Sequence, residues 1–397
     1  MVFMGVETFD GSDPLDEAAK ADIQEINSVF TVKADQRDVS KAGPLNVYVQ
    51  VHHSATEARR YHFGTDLPDG KPTITPVPKE EPKQALIGFI ESSIRDSGHL
   101  PDDHSMLVLW GHAYDFAFSR SRTRTGVVDA IDFVELSDML LQLQARFSKW
   151  YQSVKPPTLD IIGFDACDTA TVEMACQLQP FAKYLLGSEI GIPIPGWPYD
   201  RILDRLRYPK DLPMTPPEFG SYVVRRFCES YPSSSPVSLT FIGLAQANEL
   251  RYRAEVLALA LLAAIGDSDR RHRIMELFTL SQTGEDRPYV DVADLCLNLV
   301  RYGGDPLIAE MARALGDLLL TPRCSPVGRS ATGDERPLIM DHGRNAGELA
   351  RLNGISLYAP HVAVVTDFDA VRALYDGFVF AKETVWSRLV HTLAKLS

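Results

Sequence analysis

Two apolar segments decide the fold: LVLWGHAYDF at residues 107–116 and LDIIGFDACDTATVE at residues 159–173. Each begins with a short run of branched and aromatic side chains, which is typical of a strand buried on both faces of a sheet. The first run is followed by His112, and the second by Asp165 and Cys167. Because ligands of open α/β sheets bind beyond the carboxyl ends of the strands, these two ends predict the functional site.

Strand-like runs and helical patterns alternate around these two segments. Further β-rich runs lie at residues 45–51, 60–63, 184–186, 238–244 and 355–359. Apolar residues at helical spacing predict helices over residues 16–29, 83–94, 136–147 and 248–265. Strands that alternate with helices of this length predict βαβ units. We therefore expect an α/β fold, an α/β/α sandwich with a mostly parallel central sheet.

The length and the change of pattern along the chain predict two parts. The chain has 397 residues, and a domain has roughly 150. We expect a core over residues 1–247 and a mainly helical region over residues 248–397, which contributes a late strand near 355–359. Residues 64–82 are rich in Pro and Asp and predict a surface loop. Residues 322–344 are polar and predict an insertion or a mobile loop.

Composition excludes several classes of protein. The chain has 40 basic and 53 acidic residues, a net charge of −13, which argues against nucleic-acid binding. The first residues, MVFMGVETFDGSDP, lack the pattern of a secretory signal, and no apolar run has the roughly 20 residues of a membrane span. The five cysteines form no CxxC pair, so neither a disulfide framework nor a zinc site is indicated. We expect a cytoplasmic protein without a cofactor.

Cys167 and His112 are suited to act as a nucleophile and its acid–base partner. A cysteine attacks as the thiolate, which a neighbouring cation or a helix N-terminus stabilises. We expect a helix to start near Asp168 or Thr169, directly after the thiol, and His112 to protonate the leaving amine. The Cys167 amide and a backbone N–H next to His112 are candidate donors to an oxyanion. The simpler alternative is a buried, inert cysteine and a histidine that only makes hydrogen bonds.

At these residues the sequence resembles the clostripain family of cysteine peptidases, in the caspase-like clan. LVLWGHA is similar to the strand that bears the catalytic histidine of the family, and GFDACDTATVE to the segment that bears its nucleophile. The stretches MGVETFDGSDPLDEAAKADIQEI, LNVYVQV, GSEIGIPIPGWPY and NGISLYAP also resemble parts of the family, so the resemblance extends over most of the chain.

The resemblance implies a caspase-like fold, a dyad of Cys167 and His112, and endopeptidase activity on protein or peptide substrates. It implies cleavage after Arg or Lys, with Asp165 as the acid of the specificity pocket. A carboxylate in a partly desolvated pocket would select a cation, whereas the simpler alternative is a structural carboxylate at a strand end. The same resemblance makes Glu189 a candidate substrate-binding residue. Trp197 and Tyr199 are candidates to wall the substrate cleft, and the alternative is that they pack the core.

The sequence departs from the family at two positions. The residue after the catalytic histidine is Ala113 instead of the usual Gly; its backbone N–H remains available for the oxyanion hole. Pro195 stands where the family often has a second pocket acid, so a weaker or altered basic preference is expected.

The resemblance also implies that the chain can be activated by cleavage between the histidine and cysteine segments. The sequence SRSRTRTG offers Arg120, Arg122 and Arg124 for this step, either to the protein itself or to an activating protease. A solvated basic loop without a processing role is an equal alternative.

Other functions stay open at this stage. A catalytically weak or inactive regulatory protein would keep the fold, and a small-molecule hydrolase would use the same thiol. Asp341 and His342 precede a glycine and form a second candidate motif, which we interpret as part of a loop. No residues stand at recognisable metal-ligand spacing, so no metal site is predicted. Calcium dependence is possible by resemblance alone.

Overall fold

The computed structural model describes residues 1–6, 14–31, 43–53, 58–65, 67, 70–78, 80–100, 102–114, 116–118, 121–123, 126–128, 130–152, 158–209, 213–283, 288–320, 337–345, 347–359 and 368–395. Over these residues the strands are β1 (Val2–Val6), β2 (Asn46–His53), β3 (Ala58–Gly64), β4 (Thr73–Val77), β5 (Met106–Gly111), β6 (Ala113–Tyr114), β7 (Ala117–Phe118), β8 (Ser121–Thr123), β9 (Gly126–Val128), β10 (Ile131–Asp132), β11 (Leu159–Asp165), β12 (Ala182–Gly187), β13 (Ser238–Gly243), β14 (Tyr289–Asp291), β15 (Ile339–Arg344) and β16 (Ser356–Tyr358). The helices are α1 (Pro14–Phe30), α2 (Pro82–Asp96), α3 (Phe133–Trp150), α4 (Val172–Leu178), α5 (Tyr199–Arg207), α6 (Pro216–Ser230), α7 (Ala247–Ile265), α8 (Ser268–Leu280), α9 (Val292–Tyr302), α10 (Pro306–Leu320), α11 (Phe368–Tyr375), α12 (Val379–Glu383) and α13 (Trp386–Ala394).

The chain forms two compact units, each made of two segments. Unit 1 comprises Met1–Cys167 and Ile192–Tyr231, and unit 2 comprises Asp168–Gly191 and Pro232–Ser397. The division at residue 247 that composition suggests stays a prediction.

The sheet of unit 1 is mostly parallel. Its strand order is β11-β5-β1-β2-β3-β4. The first four of these strands run parallel to one another, and β3 and β4 are added in antiparallel pairs. The prediction of an α/β fold with a mostly parallel sheet is confirmed.

Helices cover both faces of this sheet. Successive side chains of a buried strand point in opposite directions, so neighbouring residues of one strand contact helices on opposite faces. Phe3 in β1 contacts Phe89 of α2, with ring centroids 5.9 Å apart. The preceding residue, Val2, lines a cavity of about 170 Å³ on the opposite face together with Ile202 of α5. Unit 1 therefore has the three layers of an α/β/α sandwich.

Unit 2 combines helices with small antiparallel sheets. Strands β12, β13 and β15 are neighbours and pair antiparallel. Strand β14 pairs antiparallel with β16, the late strand that the sequence predicts. Most of the remaining described residues lie in α4 and α7 to α13.

Two predicted loops contain strands. The prediction of a loop over residues 64–82 is wrong at Thr73–Val77, which pairs with β3 as an exposed edge strand. A proline-containing edge strand with exposed side chains has no apolar pattern to reveal it. The loop prediction for residues 322–344 is wrong at Ile339–Arg344, a strand that pairs with β13. Residues 322–336 lie outside the described part of the chain.

Candidate active site

His112 follows the end of β5 and is exposed. Gly111, directly before it, has φ +142°, and a side chain at this position would come within 2.7 Å of the carbonyl oxygen of Gly5. Glycine therefore allows the chain to leave the sheet next to β1. Ala113, the candidate oxyanion donor, is buried at the start of the short strand β6.

Cys167 lies just beyond the end of β11 and is half-buried. Its Sγ accepts a hydrogen bond from the backbone N–H of Ile192, at 3.3 Å. A donor aimed at the sulfur favours the negatively charged form of the thiol. Sequence analysis missed this partner, because it is 25 residues away along the chain.

The helix that follows the thiol starts later than the sequence predicts. We expected it at Asp168 or Thr169, but α4 begins at Val172 and Thr171 is its N-cap. Asp168 has a left-handed φ of +53°, and the N–H of Thr169 donates to the carbonyl oxygen of Ser188 instead. The prediction of a helix N-terminus directly after the nucleophile is therefore wrong.

His112 and Cys167 leave the sheet at the same level of two neighbouring strands. Trp110 in β5 and Asp165 in β11 are Cα partners in the parallel pair. His112 stands two residues after Trp110, and Cys167 two residues after Asp165. Since paired strands lie about 4.8 Å apart, both side chains belong to one edge of the unit 1 sheet. This placement suits an imidazole that exchanges protons at a reacting thiol.

The other described cysteines differ from Cys167 in burial or position. Burial raises the pKa of the Cys176 thiol to about 12, and it raises the pKa of Cys296 as well. Both thiols are therefore poor nucleophiles near neutral pH. Cys228 is half-buried like Cys167 but lies within α6. Cys324 lies outside the described residues.

Asp165 is buried and holds the segment that follows Pro195. Its Oδ2 accepts hydrogen bonds from the backbone N–H of Trp197, at 3.0 Å, and from the hydroxyl of Tyr199, at 3.1 Å. A side chain at Gly196 would come within 2.8 Å of the same oxygen, so glycine permits this close approach. Asp165 therefore positions residues 196–199.

The second oxygen of this carboxylate is not used by the described fold. Asp165 Oδ1 has no hydrogen-bond partner among the described residues. Burial raises the pKa of Asp165 to about 7, although the bonds from Trp197 and Tyr199 oppose the shift. A cation brought to the free oxygen would favour the ionised form of this carboxylate.

Trp197 lies in the core of unit 1 rather than at its surface. The side chain is only 1% exposed, and its ring packs against Gly163 of β11. It also lines the cavity of about 170 Å³ that Val2 and Ile202 share. A direct contact between Trp197 and substrate stays a prediction.

Glu189 is buried within unit 2 and binds the segment around β16. Its carboxylate accepts hydrogen bonds from the N–H of Gly354, at 2.7 Å, and from the hydroxyl of Ser356, at 2.9 Å. Burial, the charge of Asp291 and a hydrogen bond with Asp291 raise the pKa of Glu189 well above its ordinary value. Burial and Asp291 thus favour the protonated form of Glu189, and a role in substrate binding stays a prediction.

Replacing Glu189 by glutamine is expected to weaken the pH dependence of stability. The folded chain holds the Glu189 proton more tightly than the unfolded chain, so stability falls as pH rises above the ordinary pKa of 4.5. Glutamine does not titrate; its amide oxygen can accept from the Gly354 N–H, and its NH2 group can donate to the Ser356 hydroxyl oxygen. Alanine removes the acceptor and should destabilise the fold by about 1–3 kcal/mol.

Thermal unfolding of the wild type and both variants at pH 5 and pH 8 tests this expectation. Other buried carboxyl groups titrate in the same range, so the informative quantity is the difference between proteins. An identical loss of stability from pH 5 to pH 8 in the wild type and Glu189→Gln would contradict the assignment.

The remaining predicted residues lie elsewhere or are not described. Arg120 and Arg124 lie outside the described residues, and Arg122 lies in β8, which pairs antiparallel with β9. Asp341 and His342 lie in β15, so the prediction that they are part of a loop is wrong. There His342 Nδ1 lies 2.9 Å from the hydroxyl oxygen of Thr240.

Sequence analysis missed two acidic residues next to Asp165. Asp22 and Glu25 on α1 both interact electrostatically with buried groups around Asp165. The sequence gives a signal for Asp22 but none for Glu25. Asp22 stands four residues before the buried Ile26, so its carboxylate lies on the apolar side of the amphipathic helix α1.

A metal-binding cluster and a membrane-spanning helix are both absent from the part of the chain that the structure describes. No group of three or more His, Cys, Asp or Glu side chains is placed to hold a metal ion there. Within the same residues, no helix is both long and apolar enough to cross a bilayer. Calcium dependence stays untested.

Comparison with known proteins supplies a family and a fold. The model of the clostripain family matches residues 80–300. No curated protein matches the chain.

Several solved structures share the architecture. An inactive zymogen of a C11 protease from Parabacteroides distasonis has a TM-score of 0.59 at 12% identity, over 96% of each chain. A secreted C11 cysteine protease from Bacteroides thetaiotaomicron has a TM-score of 0.59 at 13% identity, over 96% of this chain and 98% of that one. A complex of a secreted C11 protease from the same organism with an irreversible peptide inhibitor gives 0.58 at 14% identity, over 96% and 97%. At these identities the similarity shows a common fold.

Proposed function

This chain belongs to the clostripain family of cysteine peptidases, as its motifs predicted, and we propose that it is an endopeptidase with a dyad of Cys167 and His112. One observation supports this proposal most strongly. The two residues follow neighbouring parallel strands at the same level, and a backbone N–H is aimed at the cysteine sulfur. This shared edge supports a dyad over the alternative of an inert cysteine and a merely hydrogen-bonded histidine.

In the first step the Cys167 thiolate attacks the carbonyl carbon of the scissile bond. The carbonyl oxygen gains the negative charge, and the backbone N–H groups of Cys167 and Ala113 are our candidates for its stabilisation. Collapse of this intermediate breaks the C–N bond and leaves a thioester on Sγ. Protonated His112 gives its proton to the departing amine.

In the second step water hydrolyses the thioester. Neutral His112 removes a proton from the attacking water, whose oxygen forms the new C–O bond. The C–S bond then breaks, which releases the carboxylic acid product and returns Cys167 to the thiolate and His112 to its protonated form. No cofactor enters this sequence of steps.

A preference for Arg or Lys before the scissile bond rests on Asp165. This carboxylate stands two residues before the nucleophile and keeps one oxygen without a partner among the described residues. A substrate guanidinium or ammonium group at that oxygen would form a charge-assisted hydrogen bond. Asp165 thus has a structural role through Oδ2 and is available for recognition through Oδ1.

Digestion of a denatured protein library, read by mass spectrometry, tests the proposed activity. We expect new ends after Arg and Lys with the wild type, and none with Cys167→Ala. No cleavage by the wild type would favour the alternative of a regulatory or scaffold protein. Hydrolysis of small esters without peptide cleavage would favour a small-molecule hydrolase.

We extend the proposal to activation by cleavage near Arg120, Arg122 and Arg124. One structural relative is described as an inactive zymogen. We expect purified wild type to run as two fragments on a denaturing gel and Cys167→Ala to remain intact. Identical bands for both proteins would contradict self-cleavage. Cutting of Cys167→Ala by an added trypsin-like protease would then support activation by a second protease.

Partners and location complete the proposal. We propose protein or peptide substrates and no binding to nucleic acid or membranes, on the grounds of the net charge of −13. The cytoplasmic location stays a sequence-based prediction. Fractionation of the producing cell tests it, because secretion, as described for one relative, would place the protein in the medium.

A further inference from the structure

A group of three carboxylates lies beneath the candidate dyad in unit 1. Asp22 and Glu25 come from α1, and Asp165 comes from the end of β11. Each has one buried oxygen without a hydrogen-bond partner among the described residues: Asp22 Oδ2, Glu25 Oε2 and Asp165 Oδ1. Asp22 is 2% exposed and Asp165 is 4% exposed. Buried carboxylate oxygens are normally paired, so these atoms require an explanation.

Strand register locates Asp22 relative to the dyad. The side chain of Asp22 is hydrogen-bonded to that of Trp110, whose indole N–H is the donor. Trp110 and Asp165 are Cα partners on neighbouring parallel strands, so their side chains project from the same face of the sheet. They precede His112 and Cys167 by two residues, a spacing of roughly 7 Å along a strand. Asp22 and Asp165 therefore lie deeper in unit 1 than His112 and Cys167, by about two residues along the strands.

Glu25 has a role in the fold that Asp22 lacks. The Glu25 carboxylate accepts hydrogen bonds from the backbone N–H groups of Tyr199 and Asp200, in the first turn of α5. This contact satisfies donors that a helix N-terminus leaves free. Among the described residues, Trp110 is the one hydrogen-bond partner of the Asp22 side chain, and an amide or a hydroxyl would accept that bond equally well. Packing among the described residues therefore does not explain why position 22 carries a carboxylate rather than a neutral polar side chain.

We propose that Asp22 is a second specificity-determining carboxylate, which together with Asp165 binds the guanidinium group of an arginine side chain before the scissile bond. This inference rests on the proposed function. A guanidinium has several donors in a planar fork and can bond two carboxylates at once, whereas an ammonium is a more compact cation. Asp22 Oδ2 on α1 and Asp165 Oδ1 at the end of β11 could each accept one of these donors, so the pair favours arginine over lysine.

Binding of arginine by Asp22 has a consequence for protons. Burial and the charges of Asp165 and Glu25 raise the pKa of Asp22 to about 9, so Asp22 holds a proton near pH 8 when the site is empty. A guanidinium next to Oδ2 would favour the ionised form and displace this proton. The competing explanation is a carboxylic acid that keeps its proton in every state and has only a structural role.

Kinetics with paired substrates distinguish these explanations. The variant is Asp22→Asn, which keeps an acceptor for the Trp110 indole and removes the charge. We expect kcat/KM for an arginyl peptide to fall about tenfold through KM, and kcat/KM for the matching lysyl peptide to change less than about threefold. Glu25→Gln is the control from the same helix; it keeps an acceptor for the Tyr199 and Asp200 N–H groups and should leave the arginine-to-lysine ratio unchanged.

A measurement on the wild type covers the case in which Asp22→Asn does not fold. At pH 8, binding of a peptide arginyl aldehyde should release close to one proton more than binding of the matching norleucyl aldehyde, by calorimetry in buffers of different ionisation enthalpy. Equal proton release for the two aldehydes, or an unchanged arginine-to-lysine ratio in Asp22→Asn, would overturn the inference. If the wild type cleaved no basic peptide at all, the proposed function itself would fail.

Discussion

Replacement of Cys167 by alanine is expected to lower kcat/KM for peptide hydrolysis by a factor of about 10³ or more. The reason is that removal of a nucleophile leaves only the contribution of binding and of the oxyanion donors. His112→Ala should cause a loss of similar size, because the amine cannot leave without a proton. The double variant should be no worse than either single variant, since the two groups act as one unit.

Cys228→Ala is the matched control for this expectation. Cys228 is the other half-buried thiol among the described cysteines, so its removal tests whether any accessible thiol would suffice. We expect its kcat/KM to stay within about twofold of the wild type. A wild-type rate in Cys167→Ala, or a loss of activity in Cys228→Ala with an intact fold, would contradict the proposed nucleophile. If His112→Ala alone stayed active, His342 would be the residue to test next.

The second large effect is expected from Asp165→Asn. Asparagine keeps an acceptor for the Trp197 N–H and the Tyr199 hydroxyl, so residues 196–199 should stay in place. Loss of the buried charge should lower kcat/KM for arginyl and lysyl peptides about 100-fold, or about 2.7 kcal/mol at 1.36 kcal/mol per tenfold change. A peptide with an uncharged residue before the scissile bond should lose much less.

The raised pKa of Asp165 predicts the direction in which the preference for arginyl substrates changes with pH. The pKa of Asp165 in the free protein is about 7, so the carboxylate is mostly protonated at pH 6 and mostly ionised at pH 8. The ratio of kcat/KM for an arginyl peptide to that for a norleucyl peptide should therefore rise from pH 6 to pH 8. In Asp165→Asn the ratio should be low and nearly constant. A ratio that falls with pH in the wild type, or that keeps its wild-type value in the variant, would contradict the role of Asp165.

Long elements with a strong hydrophobic pattern were predictable from sequence. The predicted helix at residues 136–147 lies within Phe133–Trp150, and the apolar run that begins at residue 107 lies in the strand Met106–Gly111. Both elements bury apolar side chains, so their pattern reflects their position in the core. The edge strand β4 and the polar strand β15 were missed, because pairing with a neighbouring strand stabilises them rather than burial of their own side chains.

The candidate site was predictable only where chemistry and strand ends coincide. His112, Asp165 and Cys167 follow apolar runs, and the order of parallel strands brings them to one edge. The donor at Ile192 and the carboxylate of Asp22 come from distant segments, so no local pattern reveals them. The start of α4 was predicted too early because the left-handed φ of Asp168 is a local feature that side-chain type does not determine.

Identifying the sulfur that reacts with a substrate-like electrophile tests the proposed dyad of Cys167 and His112. The protein is incubated with a peptide arginyl acyloxymethyl ketone, digested, and the adduct is located by mass spectrometry. We predict a single adduct on Cys167, formed much more slowly in His112→Ala and prevented by an excess of arginyl aldehyde. An adduct on Cys228 or another cysteine, or none on the intact folded protein, would contradict the claim that Cys167 and His112 form the catalytic dyad.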